Sequence, residues 1–270
     1  MNVWWTSVLL GILEGLTEFL PVSSTAHLIL AGHALGFVGP LADTFTVAIQ
    51  LGAVLAVVKL YARRLGELLA PPYMGSGRLD LGHLFLGILP AFVFGAVFHD
   101  AIKARLFSPR SVVVGLVLGS LFMLAAEVLG RRREGGGVRT AEGKALDALT
   151  YREALWIGVF QSFALFPGFS RAGATIGGGV LVGLSRTAAA EFSFLLAVPV
   201  MLGATAFDLA KSFSVLADGG AFVLALGFGT AFVSAYAAVR LFVRFVERIG
   251  LLPFVVYRLL LAVVLLPVVW

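Results

Sequence analysis

Long apolar runs and two short polar interruptions alternate along this chain. The pattern predicts helices that cross a membrane together with helices that do not. Six runs, at residues 44–61, 84–98, 112–129, 188–209, 221–239 and 251–269, read as crossing helices because they are apolar over most of a bilayer's thickness. Two others, 7–20 and 154–166, are too short. A helix of about 13 or 14 residues reaches roughly 20 Å, against a hydrocarbon core of about 30 Å. Each short run leads into a proline-containing polar segment and then a second short helix, at 25–35 and 172–184. Short, interrupted segments of this kind predict re-entrant helix hairpins and a binding site between them. A kinked spanning helix is the competing reading.

The two hairpins begin alike. Gly11-Ile12-Leu13-Glu14 leads to Phe19-Leu20-Pro21, and Gly158-Val159-Phe160-Gln161 leads to Leu165-Phe166-Pro167. Further on, Phe45 with Val47-Ala48-Ile49 is matched by Phe192 with Phe194-Leu195-Leu196, and Ser108-Pro109 by Leu252-Pro253. The common order, at offsets of about 146 residues, predicts a duplicated unit. One membrane domain spanning 1–270 would hold repeat 1 at 1–130, a linker at 131–152 and repeat 2 at 153–270. The expected fold is an all-α polytopic membrane protein, each repeat being one re-entrant hairpin plus three transmembrane helices. Three crossings are an odd number, so the second repeat is expected to insert inverted relative to the first.

Loop charge agrees with this topology. Arg63, Arg64, Arg78, Arg131, Arg132, Arg133, Arg139, Lys144, Arg152, Arg186, Arg240, Arg244 and Arg248 fall on one side, and only Lys103, Arg105, Arg110 and Lys211 on the other. By the positive-inside rule the first side is cytoplasmic. Both termini are then expected outside, with the first hairpin entering from outside and the second from the cytoplasm.

Composition narrows the class. The chain is 60% hydrophobic and 13% charged over 270 residues, with a mean hydropathy of +1.00, more apolar than a water-soluble globule. A lipid-facing β-barrel would alternate apolar and polar residues, and the run at 112–129 does not. The absence of cysteine excludes disulfides, thiol catalysis and thiolate metal sites. The first residues lack a basic region and a small-residue cleavage site, so they are expected to be retained. The net charge of +5 is accounted for by the loops, and no nucleic-acid partner is expected.

The first polar segment runs Glu14-Gly15-Leu16-Thr17-Glu18-Phe19-Leu20-Pro21-Val22-Ser23-Ser24-Thr25-Ala26-His27. Glu14 and Glu18, four apart, share one helical face. Two carboxylates there suit a divalent cation such as Mg²⁺ or Ca²⁺, a shared proton, or a general base; the bland alternative is hydrogen bonding to a neighbouring helix. Pro21 ends the first helix, and Ser23 or Ser24 is placed to cap the next. His27, one turn beyond Ser24, predicts a hydroxyl nucleophile with its base. The second segment is Pro167-Gly168-Phe169-Ser170-Arg171-Ala172-Gly173-Ala174-Thr175. Ser170 is expected to cap the helix that Arg171 opens. A guanidinium beside a helix N-terminus opposes the dipole, so an anion should accompany it: a phosphate, or Glu14 or Glu18 in its absence. Gly177-Gly178-Gly179 is read as a helix-packing face. The assembled motifs describe a mid-membrane site for a phosphate-bearing molecule with an apolar tail.

These two segments resemble the signature motifs of the undecaprenyl-pyrophosphate phosphatase family associated with bacitracin resistance. The resemblance extends through Ala48-Ile49-Gln50-Leu51-Gly52 and Phe192-Ser193-Phe194-Leu195-Leu196-Ala197-Val198-Pro199, and its one noticed departure is Ala26 where the family often has Gly. It implies a multi-pass enzyme of the bacterial inner membrane, open to the periplasmic side. The enzyme would cleave a polyprenyl pyrophosphate to the monophosphate and so recycle the lipid carrier for cell-wall synthesis. It implies substrate and metal roles for Glu14 and Glu18, catalytic roles for Ser24, His27 and Arg171, substrate contacts from Ser23, Thr25, Ser170 and Thr175, a divalent cation, and a homodimer. The nucleophile stays open among Ser24, His27 and water, with Ser24 preferred. The rival function is a transporter or flippase of a lipid phosphate, since inverted repeats with broken helices also build transporters. A second lipid phosphatase superfamily would need a histidine after Ser170-Arg171, and none follows.

Overall fold

The computed structural model describes residues 3–37, 39–71, 75, 78–106, 108–133, 143–211 and 220–269, and the described residues form helices joined by turns and short loops, with no strand among them. In order the helices are α1 (Val3–Thr17), α2 (Ser24–Leu35), α3 (Pro40–Leu60), α4 (Ala62–Leu68), α5 (Leu81–Leu106), α6 (Pro109–Arg133), α7 (Tyr151–Gln161), α8 (Arg171–Val182), α9 (Arg186–Lys211), α10 (Ala221–Ile249) and α11 (Leu252–Val269), with 3₁₀ turns at Leu146–Ala148 and Ser162–Leu165. Each of the six long runs is a helix. Four of them, within α5, α6, α9 and α10, are long and apolar enough to cross a membrane, and α3 with α4 makes a fifth if that pair, bent by 78°, is one span. The apolar part of α11, Leu252–Pro267, is shorter, as is α1.

Both short runs break as expected, but earlier. The first helix stops at Thr17 and not at Leu20, and Glu18 makes one last helical bond to the Glu14 carbonyl (2.9 Å). Proline disfavours helix at the residue before it, and Pro21 propagates the stop backwards through the turn. The second gives way at Gln161 to the 3₁₀ turn before Pro167. The helix after it spans Arg171 to Val182 and not 172–184, because Gly183 takes a left-handed φ of 99° and closes it. Of the linker expected at 131–152, the part at 134–142 lies outside the described residues. Lys144 is docked on the α8–α9 turn, its N–H on the Gly183 carbonyl (2.8 Å) and its carbonyl receiving the Ser185 N–H (3.1 Å).

Packing crosses between the halves. Helix α1 lies on α10, α7 on α5, α3 on α10 and α9, and α11 on α6. Small residues permit the close approaches. A Cβ on Gly11 would strike the Gly227 carbonyl and Thr230 of α10, and one on Gly158 the Leu86 and Gly87 carbonyls of α5. The Gly177-Gly178-Gly179 run packs as expected, against Phe122, Phe160 and Ala189 respectively. Beneath the first break, Phe19 meets Phe194 edge-to-face at 5.7 Å, and Phe194 in turn meets Phe242. At the ends of α6, α9, α10 and α11 a buried polar knot closes the bundle. Glu127 accepts two bonds from Arg186 (2.9 and 3.2 Å) and one from the Leu251 N–H (3.2 Å), while Glu247 accepts from Thr187.

Candidate functional site

The two breaks meet. Arg171, the first residue of α8, donates from Nη2 to Glu18 Oε1 at 3.1 Å, and its guanidinium lies 5.6 Å from the centre of the Phe19 ring. Ser24, the first residue of α2, donates from Oγ to the other oxygen of the same carboxylate, Oε2, at 2.5 Å. Glu18 therefore stands between a hydroxyl and a guanidinium, one oxygen to each.

Around this core the predicted residues divide. Glu14 lies wholly buried, and its carboxyl has the Glu18 carboxyl beside it and no other hydrogen-bond partner. The expected alternative, a bond to a neighbouring helix, is not made. Ser170 caps α8 as expected, accepting from the Gly173 N–H at 3.1 Å. Thr175 is turned inward, donating to the Arg171 carbonyl (2.9 Å) with its oxygen 2.5 Å from Ser193 Oγ. Arg171 Nη1 reaches the Ser193 carbonyl at 3.3 Å. Thr175 and Ser193 thus brace the arginine against α9. Thr25 is exposed and stands outside this network.

Two expectations are corrected here. Neither Ser23 nor Ser24 caps α2: Ser23 occupies the N-cap position with φ 71° and makes no capping bond, and the Ser24 hydroxyl goes to Glu18. Ser24 and His27 are also not hydrogen-bonded to each other. His27 turns across the break, with Nδ1 2.7 Å from the Ser23 carbonyl and Nε2 2.6 Å from the hydroxyl of Tyr257 on α11. The steric reason is the left-handed turn at Ser23, which points the Ser23 carbonyl at the imidazole and rotates Ser24 toward α1. Ser23 and Ser170 are the two non-glycine residues with positive φ among the described residues. Such strain persists only where the surroundings hold it, and it concentrates at functional sites.

What holds it is a residue sequence reasoning missed. Arg258 of α11 is fully buried. Its guanidinium donates to the carbonyls of Pro21 (3.4 Å), Gly115 (3.3 Å), Leu116 (3.2 Å), Gly168 (3.1 Å) and Phe169 (2.9 Å), and Nε donates to Ser120 Oγ (3.2 Å). Pro21 belongs to the first break and Gly168 with Phe169 to the second, so one side chain ties both to α6. Irregular backbone inside a membrane needs its carbonyls satisfied by protein, and Arg258 supplies the donors. The signal was available: a lone arginine inside the apolar run at 251–269.

The donors fit a divalent cation in part. Glu14 brings two buried oxygens with no partner but the carboxyl of Glu18, one turn away. Among the described residues no group of three His, Cys, Asp or Glu side chains could hold a metal by itself, so phosphate oxygens would have to complete the coordination. Beside the second break lies an apolar cavity of about 430 Å³, walled by Phe94, Phe98, Phe163, Phe166 and Phe169 among others. Phe169 adjoins Ser170, so the cavity opens next to the polar junction and not within it.

A family model described as bacitracin resistance protein BacA matches residues 7–264. The chain belongs to this family of membrane-bound undecaprenyl-pyrophosphate phosphatases.

Proposed function

We propose that this chain hydrolyses undecaprenyl pyrophosphate to undecaprenyl phosphate and inorganic phosphate where the two breaks meet. The observation that carries this reading is the division of Glu18 between Ser24 and Arg171. A carboxylate that accepts a serine proton while an arginine waits beside it is an arrangement for attack on an anionic phosphorus. The terminal phosphate displaces Glu18 from Arg171, whose planar fork matches its oxygens. Ser24 Oγ then bonds to the terminal phosphorus as the bond to the bridging oxygen breaks. Its proton passes to Glu18, and undecaprenyl phosphate departs. Water closes the cycle. Its oxygen bonds to phosphorus while the Ser24 oxygen leaves and recovers the proton from Glu18; both protons of the water leave with the phosphate, as dihydrogen phosphate. His27 holds the Ser23 carbonyl and thereby the turn that presents Ser24. Glu14 and Glu18 would hold a divalent cation, which supplies charge neutralisation to the phosphate oxygens when bound. The apolar cavity beside Phe169 is suited to the start of the isoprenyl tail.

The same reading makes the halves inverted repeats. Their packing is reciprocal: α1 of the first hairpin lies on α10, and α7 of the second lies on α5. Gly11 and Gly158, matching positions in the two motifs, each abut a glycine carbonyl of the partner helix. An inner-membrane protein with its cytoplasmic face at the arginine-rich loops would open this site to the outer side.

The test is phosphate release from C55 pyrophosphate by the detergent-purified protein, with and without chelator, beside Glu18→Gln and Arg171→Ala. Both substitutions should reduce release by about a hundredfold or more, and chelator should abolish it. Binding of the lipid without hydrolysis by folded protein would overturn the proposal in favour of transport.

A further inference from the structure

We infer that Tyr257 is a positioning residue of this site: its hydroxyl fixes the tautomer of His27 and, through it, the strained turn that presents Ser24. The inference deepens the phosphatase reading and rests on it for its kinetic consequence, although its geometry stands alone. A carbonyl oxygen can only accept, so the 2.7 Å contact between His27 Nδ1 and the Ser23 carbonyl places the hydrogen on Nδ1. In the neutral ring Nε2 is then the lone-pair nitrogen, and the Tyr257 hydroxyl, 2.6 Å away, must be its donor. The two rings lie nearly parallel, 4° apart, so both contacts come from one fixed arrangement. His27 is buried, whereas Tyr257 is 45% exposed. Tyr257 thus joins the buried imidazole to the outer surface of the bundle.

The chain of cause runs from α11 to the nucleophile. Donation from Tyr257 to Nε2 favours the Nδ1–H form. That form alone, in the neutral ring, gives the Ser23 carbonyl its hydrogen bond. Ser23 sits at φ 71° without a capping bond from its own side chain, so the bond from His27 is what compensates its conformation. Without the Tyr257 hydroxyl the ring is free to move its hydrogen to Nε2. The Ser23 carbonyl then faces a lone pair, and the turn loses its anchor. The next residue, Arg258, anchors the Pro21 carbonyl of the same turn, so adjacent residues of α11 hold its two ends.

The experiment is ¹⁵N NMR of the full-length protein with ¹⁵N-labelled histidine, in wild type and Tyr257→Phe. There are four histidines to resolve, and the His27 signals are identified by their loss in His27→Gln. Wild-type His27 should show a protonated Nδ1 and an unprotonated, hydrogen-bonded Nε2. In Tyr257→Phe the Nε2 signal should move to that of a nitrogen without a donor, or the two tautomers should exchange. The same variant should lower kcat for C55 pyrophosphate by about tenfold with KM changed less than about twofold, the loss expected for one misplaced hydrogen bond. Should Tyr257→Phe fail to fold, wild-type chain carrying fluorotyrosine serves instead, since its more acidic phenol should shift the His27 Nε2 signal further. A protonated Nε2 in neutral wild type, or a His27 spectrum indifferent to Tyr257, would overturn the inference. The expected spectra with no phosphate release would leave the tyrosine–histidine contact standing and remove the phosphatase reading.

Discussion

The two breaks share a design and differ in how completely they are satisfied. Each has a proline, then a serine held at positive φ, then the first turn of a helix. In the second, the named groups are partnered except for one oxygen: Gln161, the counterpart of Glu14, donates to the Gly87 carbonyl at 3.2 Å while its own Oε1 accepts nothing. Ser170 caps, Thr175 bonds to the Arg171 carbonyl, and the guanidinium is shared between Glu18 and Ser193. In the first, Ser23 does not cap, Glu14 is buried with no partner but the Glu18 carboxyl, and Ser24 gives its hydroxyl to Glu18. A buried carboxyl is costlier to leave without donors than a buried amide, and the chain places the carboxyl, Glu14, only in the first break and the neutral Gln161 in the second. In the mechanism proposed above, the second break is the grip on phosphate and the first is the side on which protons change hands.

The largest effect should come from removing what joins them. Arg258→Met leaves the Pro21, Gly168 and Phe169 carbonyls of the breaks without this donor, whereas those of Gly115 and Leu116 keep their bonds within α6, and unsatisfied buried acceptors cost about 1–3 kcal/mol each before relaxation. The detergent melting transition should fall by an amount equivalent to about 3 kcal/mol or more, and phosphate release should vanish with it. An unchanged melt would mean that the breaks hold themselves together.

Next in size is the pair that links grip to chemistry. Arg171→Ala leaves Glu18 without its cation, and Glu18→Gln leaves Arg171 without its anion, so each should lower stability by about 2–3 kcal/mol. The double variant should recover much of that loss while staying inactive, because the pair is a structural stand-in for bound phosphate. Additive losses in a double-mutant cycle would deny that the two are coupled.

The sequence carried the polar junction and little of its support. Proline, serine, glycine and arginine signalled the breaks, and the charges of Arg171 and of Glu14 or Glu18 signalled their meeting without saying which carboxylate it would be. Six long runs were legible because lipid demands unbroken apolar stretches. The geometry within the junction was not legible. Serine type gives no sign of a left-handed φ, so the cap expected of Ser23 and the Ser24–His27 pair both failed. Tyr257 and Arg258 of α11 and Ser193 of α9 lie far along the chain, and only tertiary packing brings them to the breaks. The run read at 44–61 ends where α3 does, but the short helix α4 beyond it, bent by 78° from α3, had no signal in that reading.

The smallest effects separate the serines themselves. Ser170→Ala removes a cap bond and should cost about 1 kcal/mol, whereas Ser23→Ala removes no such bond and should leave the melt within about 0.5 kcal/mol. Glycine sharpens the contrast. It relieves a left-handed φ that is worth about 1–2 kcal/mol against an ordinary residue. At position 170 that relief is offset by the lost cap, so Ser170→Gly should be near neutral. At 23 nothing opposes it, so Ser23→Gly should raise the melting temperature while lowering phosphate release, since a turn that relaxes more easily presents Ser24 less firmly. Equal responses of Ser23→Gly and Ser170→Gly would mean that the two breaks carry the same strain for the same purpose, and the division between grip and chemistry would fall.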